Sequence, residues 1–104
     1  MTIKTTPLPA GLQGFSLEGK LALITGSSGG IGLALARGMA QAGAAIVLNG
    51  RDAGKLATVA AQLRAEGHTI HEASFDATVN DEVKAAVQKI ENEIGAIGIL
   101  VNNA

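Results

Sequence analysis

The stretch LALITGSSGGIG, residues 21–32, decides the fold. Leu21 to Thr25 make a short apolar run closed by glycine, as a strand buried on both faces of a parallel sheet does. Beyond the glycines the period changes. Ile31, Leu35 and Met39, with Leu33, Ala34 and Ala40 beside them, recur at helical spacing until Gly43 supplies a stop. Strand, glycine loop and helix in immediate succession are the first part of a β-α-β crossover. Glycine tolerates φ > 0 and lets a ligand approach the backbone, so Gly26, Gly29, Gly30 and Gly32 point to an anion-binding turn at a helix N-terminus. There the helix dipole contributes about 0.3–1 kcal/mol per nearby negative charge. The plainer alternative is a glycine-rich turn that holds nothing.

Outward from this stretch the alternation repeats. Ala45 to Asn49 form a second apolar run, and Asp52 is placed to cap a helix running through Glu66, with Leu56, Val59, Ala60 and Leu63 on its apolar face and Gly67 ending it. Thr69 to Phe75 predict a third strand. Thr78 to Asp81 resemble a capping box that opens a helix through about Ile94, with Val83, Val87, Ile90 and Ile94 along one side. A fourth strand begins at Ile99, in ILVNNA. The order β-α-β-α-β-α-β predicts a doubly wound parallel α/β sheet. Right-handed crossovers and a strand order of 3-2-1-4 put the third helix on the face opposite the first two, and open a crevice at the carboxyl ends of strands 1 and 4.

Composition narrows the function. A chain of 104 residues holds one core. Net charge is −1 and aromatic content 2%, which disfavours the basic field and stacking platforms of nucleic-acid binders. With no cysteine there is no disulfide framework or thiolate metal site, and a reducing cytoplasm is the simplest setting. Residues 1–14 lack the apolar core of a secretory signal or a membrane span, and read as a flexible arm ahead of a domain over residues 15–104. His68 and His71 are expected in solvent with no metal-ligand constellation around them, and Glu91 and Glu93 on the polar side of the third helix.

The loop is tested against known phosphate cradles. A Walker A loop requires a Lys after its glycines, and none follows here. The Gly-x-Gly-x-x-Gly/Ala fingerprint fails at Leu35. Thr25-Gly26-Ser27-Ser28-Gly29-Gly30-Ile31-Gly32 fits Thr-Gly-x-x-x-Gly-x-Gly instead. With FDAT (residues 75–78) after strand 3 and VNNA (101–104) on strand 4, the sequence resembles the short-chain dehydrogenase/reductase family over residues 15–104. FSLEGK before strand 1 and LNGRD after strand 2 look most like its gluconate 5-dehydrogenase and sugar-reductase branch, with 3-oxoacyl-carrier-protein reductases close behind.

The resemblance implies a Rossmann-type fold and a nicotinamide dinucleotide. Strand 2 of such folds commonly ends on an acid that binds the adenosine ribose of NAD. Here Gly50 stands in that place and Arg51 follows, and a guanidinium can pair with the 2′-phosphate of NADP. NADP is therefore expected ahead of NAD. The alternative for Arg51 is a solvated residue at a helix start. Many NADP-using members carry a basic residue where this chain has Gly29. By resemblance Gly26, Ser28, Ile31 and Gly32 line the pyrophosphate and ribose, Asp76 and Ala77 face the adenine, and Asn103 and Ala104 run beside the adenosine-side ribose. Ser27, Gly29, Gly30 and Asn49 complete the expected cofactor contacts. Asn102 and Thr25 are expected to be structural.

In the family a Ser and a Tyr-x-x-x-Lys pair perform the hydride-transfer chemistry, the Tyr as general acid or base. They belong to segments after strand 4, and this sequence contains no Tyr. These residues are thus expected to be the cofactor-binding half of an NADP-dependent oxidoreductase acting on a carbonyl or alcohol, such as a sugar acid like gluconate. Alone they are expected to bind NADP weakly, to be inactive, and to expose apolar surface along strand 4. A small-molecule substrate belongs to a longer form, as does a homodimer or homotetramer; neither nucleic acid nor membrane is an expected partner. The other reading is a nucleotide-binding or subunit-interaction module without catalysis. A methyltransferase is disfavoured, since its nucleoside also wants an acid after strand 2.

Overall fold

The computed structural model describes residues 16–103. The expected arm over residues 1–14, and Ala104, lie outside the described residues. Elements alternate throughout: β1 (Leu21–Ile24), α1 (Gly30–Gln41), β2 (Ala45–Gly50), α2 (Ala53–Ala65), β3 (Ile70–Ser74), α3 (Asn80–Glu93) and β4 (Ile99–Val101). The strands form one four-stranded sheet in the order β3-β2-β1-β4, every pair parallel. Leu23 pairs with Val47 on one side and Leu100 on the other.

Strand periodicity divides the interior into two cores. Ala22, Ile24, Ile46 and Leu48 point one way and pack with Ala36, Ala40, Leu56, Val59 and Leu63 of α1 and α2. Leu21, Leu23 and Val47 point the other way, against Phe75 and Ile90, with Val83 and Val87 of α3 over them. The third helix therefore covers the opposite face from the first two, as right-handed crossovers require. Both faces of β1 and β2 are sealed, which is why each strand reads as an unbroken apolar run.

Three local expectations are corrected. On α1 the residues packed on the sheet are Gly32, Ala36 and Ala40, while Ile31 and Leu35 stand in solvent at 74% and 41% exposure. A helix that approaches a sheet closely selects small side chains on the contact side, so the larger apolar residues are displaced outward. On α3 no capping box forms. The N-cap is Val79, without a side-chain bond, because Asp76 has captured Thr78: its Oδ1 accepts from both the backbone N–H and the hydroxyl of Thr78, at 2.9 and 2.6 Å. Glu82 reaches back instead to accept from the Asp76 N–H at 2.9 Å. Finally, both histidines are half-buried rather than in solvent: His71 lies within β3 opposite Val47, and the His68 N–H bonds the Leu63 carbonyl at 3.2 Å. By contrast, Asp52 caps α2 as expected, its Oδ1 accepting from the Lys55 N–H at 3.1 Å.

Candidate cofactor-binding site

The glycine loop leaves β1 at its carboxyl end and is fastened from two sides. Toward β2, the Ser27 N–H donates to the Asn49 carbonyl at 2.8 Å, and the Asn49 N–H donates to Ser27 Oγ at 2.9 Å. Ser27 Oγ itself donates to the Ile24 carbonyl at 2.7 Å. The Asn49 side chain makes three further ties: Oδ1 accepts from the Gly26 N–H at 3.0 Å, and Nδ2 donates to the Ala73 and Phe75 carbonyls at 3.0 and 3.1 Å. Ser27 and Asn49 are 0% and 2% exposed. Both are expected cofactor contacts, and within the fold their polar atoms brace the loop on β2 and β3. Buried amide and hydroxyl groups must find such partners, and here they do.

Toward β4, Thr25 and Asn103 close the other side. The Asn103 N–H donates to Thr25 Oγ1 at 2.8 Å, and Thr25 Oγ1 lies within 3.4 Å of Asn102 Oδ1 and 3.3 Å of the Val101 carbonyl. Asn103 Nδ2 donates to the Gly26 carbonyl at 3.2 Å. Thr25 and Asn102 are structural as expected. Asn103 is structural as well, so its side chain holds the first glycine of the loop that it was expected to border.

Between these fastenings α1 begins. Gly26 and Gly30 take φ of +60° and +58°, in the left-handed region where side chains are disfavoured. Gly29 is the N-cap, extended and without a side-chain cap bond, and the first helical bond is made by the Leu33 N–H to the Gly29 carbonyl at 3.2 Å. The N–H groups of the first turn are thus left to an anion or to water. Gly32 presses directly on the loop: a Cβ there would overlap the Gly26 carbonyl oxygen and lie 2.6 Å from Asn103 Nδ2. Ile31, exposed, flanks this turn on its solvent side.

The end of β2 forms the adenosine side. Gly50 is buried, and a Cβ built on it would lie 3.0 Å from Ser28 Oγ and 3.2 Å from Ser28 Cβ. The space in which a ribose-binding acid would start is therefore held by a serine hydroxyl. Arg51 extends into solvent, 79% exposed, with NH1 3.8 Å from Asp76 Oδ2. The Thr78 hydroxyl and backbone N–H hold the Asp76 carboxyl below the ordinary aspartate range against an opposing effect of burial, and the Arg51 charge adds the smallest share. Asp76 is therefore charged at neutral pH. Ala77, beside it, is half-buried against the α3-side core. One further residue comes here from a distance: Lys55, in the first turn of α2, brings Nζ to 3.5 Å from where a Gly29 Cβ would stand. Sequence reasoning missed it.

These residues could hold a dinucleotide. Open helix N–H groups and close-approach glycines serve a pyrophosphate, and cations without a ribose-binding acid serve a 2′-phosphate. A separate groove of about 490 Å³ lies at the other sheet edge between β3 and α3, bordered by Phe75, Glu82, Lys89 and Ile90, and shares no residue with the loop. Among the described residues no His, Cys, Asp and Glu cluster could hold a metal ion, and no helix is long and apolar enough to cross a membrane.

Comparison with known proteins gives the family. The profile of the short chain dehydrogenase family matches residues 20–104. The gluconate 5-dehydrogenase of Gluconobacter oxydans is 50% identical over 90 residues, covering 86% of this chain and 35% of that protein. The 5-keto-D-gluconate 5-reductase of Escherichia coli K12 is 46% identical over 90 residues, with the same coverage of 86% and 35%. A crystal structure of a gluconate 5-dehydrogenase from Burkholderia cenocepacia in complex with NADP and tartrate superposes with a TM-score of 0.85 at 53% identity, over 90% of this chain and 37% of that one. The chain spans about a third of the length of these relatives. With the TGSSGGIG loop seated at the switch point of a β3-β2-β1-β4 sheet and the family profile matched from Lys20 onward, this chain belongs to the short chain dehydrogenase family.

Proposed function

We propose that residues 16–104 bind NADP as the cofactor part of an oxidoreductase that moves a hydride between the nicotinamide and a carbonyl or alcohol of a sugar acid. The observation that carries the cofactor choice is the end of β2, where Gly50 offers no carboxylate, Ser28 fills the space beside it and Arg51 extends into solvent, held among the described residues only by a 3.8 Å pair with Asp76. The NADP bound to the Burkholderia gluconate 5-dehydrogenase supports the choice, and the gluconate-acting relatives support the substrate class. Bound there, the nicotinamide would supply the hydride in its reduced form and accept it in its oxidised form. The chain's own residues would hold its phosphates: the first-turn N–H groups of α1 at the pyrophosphate, Ser28 and Arg51 at the 2′-phosphate, and Asp76 near the adenine.

The absence of Tyr from these 104 residues leaves them without the proton donor that the family uses. Alone they are expected to bind NADPH without oxidising it. Fluorescence titration of the purified chain checks both halves of this statement: NADPH should bind roughly tenfold or more tightly than NADH, with no loss of NADPH absorbance on adding 5-ketogluconate. Arg51→Ala should weaken NADPH about tenfold and leave NADH unchanged. Gly50→Asp, which must first displace Ser28 Oγ, should narrow or reverse the preference. Equal affinities in the parent chain would rule out the NADP assignment.

A further inference from the structure

We infer that Lys55 is a second cation for the adenosine 2′-phosphate, reaching the site from α2 and setting the preference for NADP over NAD together with Arg51. This rests on the NADP reading above. Lys55 occupies the third position of α2, where its backbone N–H is held by Asp52. A cation in a first helical turn opposes the helix dipole, so helix stability does not explain its presence. Its ammonium makes no ion pair among the described residues. It lies instead across the cleft mouth, with Nζ 3.5 Å and Cε 3.9 Å from the Cβ position of Gly29.

The placement has a consequence for the neighbouring groups. Ser28 sits between the two cations, its hydroxyl against Gly50, which Arg51 follows, and its chain neighbour Gly29 against Lys55. Lys55 adjoins the uncapped start of α1 at Gly29, itself a centre of positive potential. Two carboxylates lie near the two cations: Asp76, 3.8 Å from Arg51, and Asp52, which follows Arg51 in the chain and is engaged in capping α2 at the Lys55 N–H. Positive groups gathered around a hydroxyl call for a compact dianion between them, and a phosphate monoester on the adenosine ribose has that charge and size. The charge that a basic side chain at position 29 would carry to this point is delivered from the neighbouring helix, and Gly29 is the vacancy that admits it.

The experiment measures dissociation constants of NADPH and NADH for the protein at its natural length, as parent, Arg51→Ala, Lys55→Met and the double variant Lys55→Met/Gly29→Lys. Lys55→Met is expected to weaken NADPH about three- to tenfold, less at high salt, with NADH within about twofold of the parent. Its melting temperature should not fall, since the first turn of α2 loses an unfavourable charge. Gly29 has extended backbone, φ −176°, which any residue adopts, so the double variant should regain NADPH affinity by returning the charge along the other path. Equal weakening of NADPH and NADH would put Lys55 on the pyrophosphate and overturn the inference, as would an unchanged NADPH constant. A double variant as weak as Lys55→Met would count against it too. A parent that fails to discriminate the two cofactors removes the NADP reading itself, whereas a parent that discriminates through Arg51 but not Lys55 removes only this inference.

Discussion

A single methyl group added at Gly32 is expected to lower stability by about 3 kcal/mol and to abolish measurable NADPH binding. The added Cβ would overlap the Gly26 carbonyl oxygen and come within 2.6 Å of Asn103 Nδ2. Neither neighbour can give way cheaply. The Gly26 N–H is tied to Asn49 and its carbonyl to Asn103, so moving it strains the fastenings to β2 and β4 together. The first turn of α1 must rise from the loop instead, and the N–H groups that would meet a pyrophosphate move with it. Gly38→Ala provides the contrast within the same helix. Nothing lies within 4 Å of a Cβ at Gly38, and exchanging glycine for alanine in a helix interior should stabilise by about 0.5–1 kcal/mol. Urea midpoints for the two variants should move in opposite directions; a Gly32→Ala protein that melts with the parent would show that the loop is looser than its contacts imply.

The second large effect is expected at Asn49. Asn49→Leu keeps the branched shape of the side chain but removes one acceptor and two donated bonds, leaving the Gly26 N–H and the Ala73 and Phe75 carbonyls without their partner. Each buried group so abandoned costs about 1–3 kcal/mol, and three together put the loss at about 3 kcal/mol or more. For a domain of this size, with a total stability of about 5–15 kcal/mol, that is a large fraction. Asn49→Asp separates the two kinds of bond, since a carboxylate still accepts from Gly26 but cannot donate to the carbonyls. It should fall below the parent too, and hydrogen exchange should localise the damage of both variants to the glycine loop and the end of β3. A loss below about 1 kcal/mol for Asn49→Leu would mean that water replaces the amide.

The alternation of strand and helix was legible because each strand is an uninterrupted apolar run and each turn carries glycine where the chain must reverse: Gly43 and Gly67 follow α1 and α2 with φ of +108° and +95°. With the strand order taken as 3-2-1-4, the two faces followed from chirality. What stayed hidden depends on distance across the fold. Ile31 and Leu35 outrank Ala36 and Ala40 in hydrophobicity, yet the smaller residues are buried, because the contact at Gly32 fixes how near α1 lies and hydropathy carries no information on that spacing. Val79 replaced the expected cap since Thr78 had a nearer partner in Asp76, a competition between local bonds that the residue pattern does not rank. Asn49 and Asn103 were read as neighbours of a nucleotide, and their work as braces stayed hidden because it needs the Ala73, Phe75 and Gly26 carbonyls brought to them by the fold. Lys55 was invisible for the same reason: its ammonium meets Gly29 only after α2 has docked.

The two fastenings of the glycine loop differ in when a growing chain can make them. Ser27 and Asn49 are 22 positions apart, whereas Thr25 and Asn103 are separated by 78. At synthesis rates of about 5–20 residues per second, the first pair can meet within about 1–4 s, and the second only about 4–16 s after Thr25 is added. Closing the longer loop also costs more entropy. The loop is therefore secured in two stages, first to its neighbour in sequence and later to a three-residue strand near the opposite end of the described chain. A nascent protein carries the glycines long before it can use them, and the arrival of β4 sets the moment at which a nucleotide can first be held.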